Sequence, residues 1–320
     1  MGYGGSSGTQ QTLAEHWNGS SWSIVSTPDG TNGGTATANQ LYGVTCVASN
    51  DCWAVGEMLN GSGYYDMLIE HWDGTSWTIS PAPANPTGED NLLFGVACTS
   101  STNCFAVGYV CDGTQTNTSD CATSNGSEEV LIEGWNGTSW ALAAQGQGAE
   151  SALQGISCSA TECWAVGFTT ATSTTEPLIE HWDGGSGWTL APGNVPAAAG
   201  GGSLYGVACD GAQNCAAVGY QGSQTLVMEH SGAASNPWTI SPSDSTGASD
   251  ILYGVGCDPT YNCAAVGQYS GNAFQTLVLE NVQPSTNVPE LPAAALAPFA
   301  GLVVLGGWKL RDRRRRRPAA

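Results

Sequence analysis

A glutamate recurs along this sequence, near the end of a short apolar run in each repeated segment. The six positions are Glu15, Glu70, Glu133, Glu180, Glu229 and Glu280. Residues 1–308 contain no Lys or Arg, so a buried carboxylate needs backbone N–H, Trp N–H or hydroxyl donors. We interpret the glutamates first as structural groups satisfied in that way. The alternative is that their strand lines a central channel and that they bind Ca²⁺, which prefers oxygen ligands.

All basic side chains of the chain lie within its last twelve residues. They are Lys309, Arg311, Arg313, Arg314, Arg315, Arg316 and Arg317. Nucleic-acid binding depends on Lys and Arg that neutralise phosphates, and sialidases clamp the substrate carboxylate with arginines. We therefore expect the body neither to bind nucleic acid nor to act as a sialidase. No glycine motif typical of nucleotide binding is present, and no cofactor is indicated other than the Ca²⁺ of the alternative above.

Residues with catalytic potential are few. His16, His71, His181 and His230 each follow one of the repeated glutamates, and residues copied into every unit of a repeat are more often framework than function. We expect them to be structural, for example as hydrogen-bond partners of a neighbouring unit. Glycoside hydrolysis by two carboxylates is still open, and we assign no catalytic residue. Five acids lie near the insertion, outside the repeat, and can equally be solvated loop charges: Asp90, Asp112, Asp120, Glu128 and Glu129.

The twelve cysteines fall into six close pairs. An even number of cysteines at regular spacing predicts disulfides in an exported chain. Zinc sites are the alternative, but they need shorter spacings and usually His partners, which these segments lack. The pair in the insertion of the second unit is expected to staple a long loop. The predicted disulfides are Cys46–Cys52, Cys98–Cys104, Cys111–Cys121, Cys158–Cys163, Cys209–Cys215 and Cys257–Cys263.

The cysteine pairs belong to a repeat with four short runs of Val, Ile, Leu, Trp and Tyr. One copy comprises residues 41–46, 51–56, 68–72 and 77–79. Gly, Asn, Asp, Ser and Pro separate the runs, as expected for strands and turns. Four strands in about 40–50 residues are typical of a β-propeller blade. We predict an all-β fold in which residues 1–281 form a propeller domain, with an array of β-sandwiches as the alternative.

The number of blades follows from counting the repeat units. Five units contain the Gly-Val/Ile-x-Cys element, which predicts a five-bladed β-propeller. An extra glutamate strand at 275–280 would pair with the N-terminal region and close the ring. Met1-Gly2-Tyr3 resembles the middle of a unit and lacks the basic start and apolar core of a signal peptide. We therefore expect sequence upstream of Met1, in which case the ring would have six or seven blades.

A tryptophan-flanked turn recurs in most units, as in Trp72-Asp-Gly-Thr-Ser-Trp77. Asp-Gly and Asn-Gly favour tight hairpins. The Trp pair could pack across the hairpin or stack on sugar rings, and its recurrence favours packing. The turn resembles the Asp-box of sialidase-type propellers, Ser-x-Asp-x-Gly-x-Thr-Trp. It is one residue shorter between Asp and Trp and lacks the leading Ser.

The C-terminal region differs from the repeats in composition. Leu291–Trp308 is uncharged and largely apolar, and its length is close to the roughly 20 residues of a transmembrane helix. The arginines that follow would stay on the cytoplasmic side. We predict a linker at 282–290, a transmembrane or sorting segment at 291–310 and a basic cytoplasmic tail at 311–320. The repeat domain would then be secreted and held at the cell surface by its C-terminus.

This three-part tail resembles the C-terminal sorting signals of bacterial surface proteins. Leu291 and Pro292 match the start of the LPxTG motif, with Ala294 and Ala295 in place of Thr and Gly. Val288-Pro289-Glu290 resembles the opening of Pro-Glu-Pro tails, with Leu291 in place of the second Pro. The first resemblance implies processing by a sortase and the second by an exosortase. A plain single-pass membrane anchor is the simpler alternative.

These features together predict a bacterial cell-surface propeller without catalytic activity, whose role is binding or adhesion to an extracellular glycan or protein ligand. A carboxylate-based, glycan-active hydrolase is one alternative, because Asp and Glu are plentiful. A passive structural protein of the envelope is the other. A concave pocket or an exposed aromatic patch would argue against this last alternative.

Overall fold

The computed structural model describes most of the repeat region and none of the C-terminal tail. The described residues are 2–4, 10–30, 38–61, 63–83, 90–112, 127–145, 150–170, 174–185, 187–191, 200–211, 213–233, 235–243, 245, 249–270 and 274–282. The predicted linker, transmembrane or sorting segment and basic tail span 282–320. All of these residues except Val282 lie outside the described part. Among the described residues no helix is long and apolar enough to span a membrane.

The described chain is all-β, as predicted. Its strands are β1 (Gly2–Gly4), β2 (Gln11–Trp17), β3 (Trp22–Val25), β4 (Asn39–Ala48), β5 (Asp51–Leu59), β6 (Tyr65–Trp72), β7 (Trp77–Ile79), β8 (Asn91–Ser100), β9 (Asn103–Asp112), β10 (Ser127–Trp135), β11 (Trp140–Gln145), β12 (Ser151–Cys158), β13 (Cys163–Thr169), β14 (Glu176–Trp182), β15 (Trp188–Leu190), β16 (Gly202–Cys209), β17 (Cys215–Gln221), β18 (Gln224–His230), β19 (Thr239–Ser241), β20 (Asp250–Cys257), β21 (Cys263–Ser270) and β22 (Phe274–Val282).

The strands form six antiparallel meanders in chain order, which are the blades of a β-propeller. Sheet 1 is β1–β3, sheets 2 to 5 are β4–β7, β8–β11, β12–β15 and β16–β19, and sheet 6 is β20–β22. The first strands of sheets 2 to 6 contact one another from sheet to sheet. They therefore form the inner edge, and the glutamate-bearing third strands lie further out. The interpretation that the third strands line the channel is wrong.

The prediction of five blades is also wrong, because the chain forms six. Sheet 1 has no Gly-Val-x-Cys element, so a count based on that element misses it. β22, which contains the extra glutamate strand at 275–280, pairs with β21 of its own sheet and not with the N-terminal region. The N-terminal strands pair with one another instead. Each end of the repeat region therefore forms its own blade.

Each central blade buries both of its faces between its neighbours. We call the face that carries Val55, or its equivalent in another sheet, the forward face, and the opposite face the rear face. Trp53, Val55 and Ile69 on the forward face of sheet 2 pack against Leu93 and Leu131 on the rear face of sheet 3. The same forward-to-rear contact joins sheets 3 and 4, 4 and 5, and 5 and 6. Burial of apolar surface at these contacts is the main stabilising contribution to the fold.

Five of the six predicted disulfides are confirmed. They join Cys46–Cys52, Cys98–Cys104, Cys158–Cys163, Cys209–Cys215 and Cys257–Cys263. In each pair the two cysteines are opposite each other at the ends of the first and second strands of a blade. Cys111 is buried, and its predicted partner Cys121 lies outside the described residues. Repeated disulfides are typical of proteins from extracellular or otherwise oxidising compartments.

Candidate functional site

The inner strands of sheets 2 to 6 share a β-bulge directly after a buried leucine. Each bulge adds one residue to the first strand, between that leucine and the glycine of the Gly-Val/Ile-x-Cys element. A bulge bends its strand and redirects a side chain, and bulges are frequent beside functional sites. The bulged residues are Tyr42, Phe94, Gln154, Tyr205 and Tyr253.

A second variable position lies beside the bulge, on the neighbouring strand of the same blade. It follows the glycine of Ala-Val-Gly and is occupied by Glu57, Tyr109, Phe168, Tyr220 and Gln268. Tyr42 Oη donates a hydrogen bond to Glu57 Oε1 at 3.0 Å. The ring centroids of Phe94 and Tyr109 are 5.8 Å apart, and those of Tyr205 and Tyr220 are 6.1 Å apart. We call the residues at these two positions the bulge row.

The bulge row continues from one blade to the next. The ring centroids of Tyr42 and Phe94 are 5.4 Å apart, and those of Tyr205 and Tyr253 are also 5.4 Å apart. Tyr42 is 42% exposed and Tyr253 is 47% exposed. The flanking Leu, Gly, Val and Cys are nearly the same in every blade, whereas the row changes between aromatic, amide and acid side chains. Packing of the framework therefore does not dictate the residue types of the bulge row. For this reason the bulge row is the best candidate for a binding surface.

Glu57 gives the row an ionisable group in sheet 2. Its side chain is almost fully buried, and burial raises its pKa to about 6, with a smaller upward contribution from Asp90 and a downward one from the Tyr42 hydrogen bond. Burial and the nearby Glu57 carboxylate also raise the pKa of Tyr42. Asp90 is buried and its Oδ1 accepts a hydrogen bond from the Tyr65 backbone N–H at 2.7 Å. This end of the row can accept hydrogen bonds or exchange a proton near pH 6.

The other acids considered for catalysis are only partly described. Asp90 lies at the edge of the bulge row, near Glu57. Glu128 and Glu129 are half-buried in β10, on the strand that pairs with β9. The side chain of Asp112 and the whole of Asp120 lie outside the described residues. The sequence did not single out Glu57, because its importance depends on the bulge that places Tyr42 beside it.

Three of the six repeated glutamates occupy one buried position on the rear faces of their sheets. Glu70, Glu133 and Glu180 pair with Ala54, Ala106 and Ala165 across the strands. We expected donors to satisfy them, yet neither carboxylate oxygen of Glu70 or Glu180, nor Oε2 of Glu133, has a hydrogen-bond partner among the described residues. Burial instead raises the pKa of Glu70 to about 8 and those of Glu133 and Glu180 to about 7. These carboxyls are therefore protonated at neutral or slightly acidic pH.

The glutamates of sheets 5 and 6 do not share this position. In sheet 5 the alanine equivalent to Ala165 pairs with Met228, so Glu229 lies one residue further along, on the forward face. Glu229 is buried, and burial raises its pKa to about 7. In sheet 6 the equivalent position belongs to Leu279, and Glu280 is again one residue further along. The extra residue in Leu-Val-Met-Glu-His, compared with Leu-Ile-Glu-His, is visible in the sequence and could have shown this offset.

The repeated glutamates whose side chains are described do not lie together at one site, as a calcium ring would require. Glu15 is exposed on sheet 1, and the side chain of Glu280 is not described. Within the described part of the chain, no group of three or more His, Cys, Asp or Glu side chains could hold a metal ion. Calcium binding by the six glutamates stays a prediction, which a thermal unfolding midpoint measured with Ca²⁺ and with chelator would test.

His71 and His181 each contact an acid and a tryptophan of their own blade. His71 Nε2 lies 2.8 Å from Asp51 Oδ1, and its ring centroid is 4.3 Å from that of Trp53. His181 Nε2 lies 3.2 Å from Glu162 Oε2 and its ring packs on Trp164 in the same way. We expected these histidines to bond to a neighbouring blade. His71 and His181 bond instead to an acid at the turn between the first and second strands of their own blade. His230 occupies the position that Trp182 holds in sheet 4. Its ring packs instead on Trp164 of the neighbouring sheet 4, with the ring centroids 4.7 Å apart.

The tryptophan turns pack as hairpins, as the sequence indicated. The ring centroids of Trp17 and Trp22 are 5.7 Å apart, and so are those of Trp72 and Trp77. Asp73 Oδ1 accepts backbone hydrogen bonds from Thr75 and Ser76 within the turn. These contacts occur at the opposite end of the strands from the start of the inner strand, so the hairpins and the bulge row are separate features.

Comparisons with known proteins leave the function open. No family model and no curated protein matches the chain. Among solved structures, it is similar to YCF48 bound to D1 peptide (TM-score 0.47, 13% identity, 82% of this chain and 68% of that chain). It is also similar to YjhT (TM-score 0.49, 11% identity, 81% and 84%) and to a PL25 ulvan lyase bound to its saccharide (TM-score 0.48, 10% identity, 81% and 67%). At these identities and TM-scores the similarities do not indicate a ligand or an activity. The six sheets themselves identify the fold.

Proposed function

We propose that the protein is a non-catalytic binding propeller whose bulge row takes an uncharged glycan. The observation that carries this proposal is the row itself, a set of partly exposed aromatic rings that continues between blades on a repeated framework. Binding sites typically combine apolar and aromatic walls with a few placed polar groups. The row has this composition, since Gln154, Gln268 and Glu57 interrupt its aromatic residues.

The charge of the body supports an uncharged ligand. Glu57, Asp66 and Asp90 are buried near one end of the row, and residues 1–308 offer no Lys or Arg to hold a ligand carboxylate, sulfate or phosphate. An anionic ligand would meet repulsion without a compensating ion pair. The C–H faces of neutral sugars can instead stack on aromatic rings, while the amide, phenol and carboxyl groups exchange hydrogen bonds with sugar hydroxyls.

We expect substitutions in the bulge row to weaken glycan binding. Screening the disulfide-intact full chain in detergent on a glycan array would identify a neutral glycan, and calorimetry would then give its affinity. Tyr205→Ala or Tyr253→Ala removes an aromatic contact and should lower the affinity about tenfold, as expected for a central aromatic contact. Trp22→Ala removes an even more accessible aromatic side chain far from the row, at 66% exposure, and should leave the affinity unchanged. Loss of binding in the Trp22 variant alone would place the site on the hairpins instead.

A glycan-active hydrolase is the second candidate, and Glu57 is the observation that favours it. Burial, with a smaller contribution from the charge of Asp90, raises the pKa of Glu57 to about 6, as burial raises the pKa of the acid in the carboxyl pair of glycosidases. The Glu57→Gln variant separates the two functions. A binding protein would keep most of its affinity and show no turnover before or after the change, whereas a hydrolase would lose turnover and retain its substrate.

We further propose that the propeller is displayed outside the cell and anchored by its C-terminal segment. The five disulfides support an oxidising location, and the apolar run before the arginines supports an anchor. Truncation after Val282 should release the propeller into the medium. For the full chain, release by detergent would indicate a plain anchor, and release only by wall-degrading enzymes would indicate attachment by a sortase. A full chain that remains soluble in the culture medium would contradict anchoring.

A further inference from the structure

The forward face of the last blade is exposed, although the same face is buried in sheets 2 to 5. The valine of Ala-Val-Gly is completely buried at Val55, Val107, Val166 and Val218. Its equivalent in sheet 6, Val266, is 48% exposed. Ala264, two residues before it on the same face, is exposed as well. Among the described residues, therefore, nothing covers this apolar face.

The residues of this face are those of a face that is covered elsewhere in the chain. The forward face of sheet 5 carries Ala216, Val218, Thr225, Val227 and Glu229, and the equivalent positions in sheet 6 carry Ala264, Val266, Thr276, Val278 and Glu280. All five residue types are identical. In sheet 5 this face packs against Leu252, Leu277 and Leu279 on the rear face of sheet 6. The rear faces of sheets 3 and 4 pack on forward faces in the same way, and at the position of Leu277 they carry Leu131 and Leu178, each followed two residues later by a glutamate. A rear face with this leucine and glutamate is therefore a surface that fits a forward face such as that of sheet 6.

The first blade exposes a rear face with that pattern. Leu13 has the position that Leu277 holds in sheet 6, and it is partly exposed, whereas Leu277 is 1% exposed. On the same face Ile24 is 71% exposed, and Glu15 is exposed although its equivalent Glu180 is buried. The rear face of sheet 1 and the forward face of sheet 6 thus both remain uncovered, so they do not cover each other within one molecule.

We propose that the forward face of sheet 6 binds the rear face of sheet 1 of a second copy of this chain. The forward-to-rear contact already occurs between sheets 2 and 3, 3 and 4, 4 and 5, and 5 and 6, and the intermolecular contact continues this series. Because two different surfaces meet, the interface is heterologous, and each copy keeps one free face for the next. Copies carry a large negative charge, so screening by salt should strengthen their association.

The test uses two variants that block opposite faces of the full chain in detergent. Val266→Glu places a charge on the forward face of sheet 6, and Ile24→Glu places one on the rear face of sheet 1. Each variant alone should be monomeric in analytical ultracentrifugation, while the unmodified chain forms oligomers that grow with protein and salt concentration. A mixture of the two variants should give dimers and no larger species, because only one competent pair of faces remains. Leu190→Glu, at a site 55% exposed on the outer strand of sheet 4, should oligomerise like the unmodified chain.

Two results would overturn the proposal. An unmodified chain that stays monomeric up to about 100 μM in high salt, well above the μM range of weak specific interfaces, would show that the two faces do not bind each other between copies. Oligomers that persist in both single variants would show that another surface, such as the apolar C-terminal segment, holds the copies together. Circular dichroism of each variant would establish that the added charge has left the fold intact.

Discussion

The free energy of unfolding is expected to rise as the pH is lowered from 9 to 5, which is the reverse of ordinary acid denaturation. Glu70, Glu133 and Glu180 are buried between blades, and the pKa of each lies well above the usual value of about 4.5, at about 8, 7 and 7 respectively. In the unfolded chain the same carboxyls would titrate near pH 4.5. At pH 5 to 6 the folded protein therefore holds protons that the unfolded chain has released.

The direction of the effect follows from this difference in bound protons. Where the folded state binds more protons, stability falls as the pH rises. The contribution of each glutamate is complete below about pH 4.5 and is lost as the pH passes through the folded-state pKa of 7 to 8. Shifts of this size correspond to roughly 3 to 5 kcal/mol per site when the full range is crossed. The loss is large because no Lys or Arg in the body can compensate a buried carboxylate.

The Glu180→Gln variant isolates the contribution of one site. Urea unfolding at pH 5, 7 and 9 should show a smaller fall in stability between pH 5 and 9 than in the unmodified chain, because the amide stays neutral throughout. Glu15→Gln is the matched control. It removes the same charge from the equivalent position of sheet 1, where the side chain is exposed, and should leave the pH dependence unchanged. Parallel curves for the Glu180 variant and the unmodified chain would show that the carboxyl is not titrating as a buried group.

Local patterns in the sequence were sufficient to predict the strands, the hairpins and the disulfides. Apolar runs between turn residues define the strands, and Cys46 and Cys52 are close enough in the chain to pair across a single turn. The number of blades depends on which partner each terminal strand selects. Nothing local to β22 distinguishes pairing with β21 from pairing with the N-terminal strands, and the choice of β21 gives six blades instead of five.

The candidate site could not be predicted for a related reason. Tyr42, Phe94, Gln154, Tyr205 and Tyr253 are visible in the sequence as the one variable residue inside an otherwise repeated Leu-x-Gly-Val/Ile element. In a regular strand, however, such a residue would point to one of the two blade faces and would belong to the core. The bulge removes it from the alternation of the strand and leaves it partly exposed. Glu229 reaches the other face without a bulge, because it lies one residue further along a regular strand and side-chain direction changes with every residue.

The glycine of Ala-Val-Gly lets the inner strand approach closely beside the bulge, and replacing it should be strongly destabilising. A Cβ added at Gly219 would lie 1.9 Å from the carbonyl oxygen of Ser203 and 2.9 Å from Leu204 Cα, both on the inner strand. The equivalent glycines, Gly56, Gly108, Gly167 and Gly267, have the same backbone contact at 1.8–2.0 Å. Backbone atoms held in a sheet cannot move aside as a flexible side chain would, so the strands must separate at the bulge.

Gly219→Ala is therefore expected to lower the free energy of unfolding by about 3 kcal/mol, the upper part of the usual range for overpacking. Gly256→Ala is the matched control, because Gly256 lies in the inner strand of sheet 6 with no atom within 4 Å of an added Cβ. That change should have an effect within about 0.5 kcal/mol. Urea unfolding with the disulfides intact would measure both. Since the bulge at Leu204 and Gly206 places Tyr205 in the bulge row, Gly219→Ala should also weaken glycan binding under conditions in which the protein remains folded. Equal stability of the two glycine variants would mean that the inner strand can shift to make room, and that the bulge does not require glycine beside it.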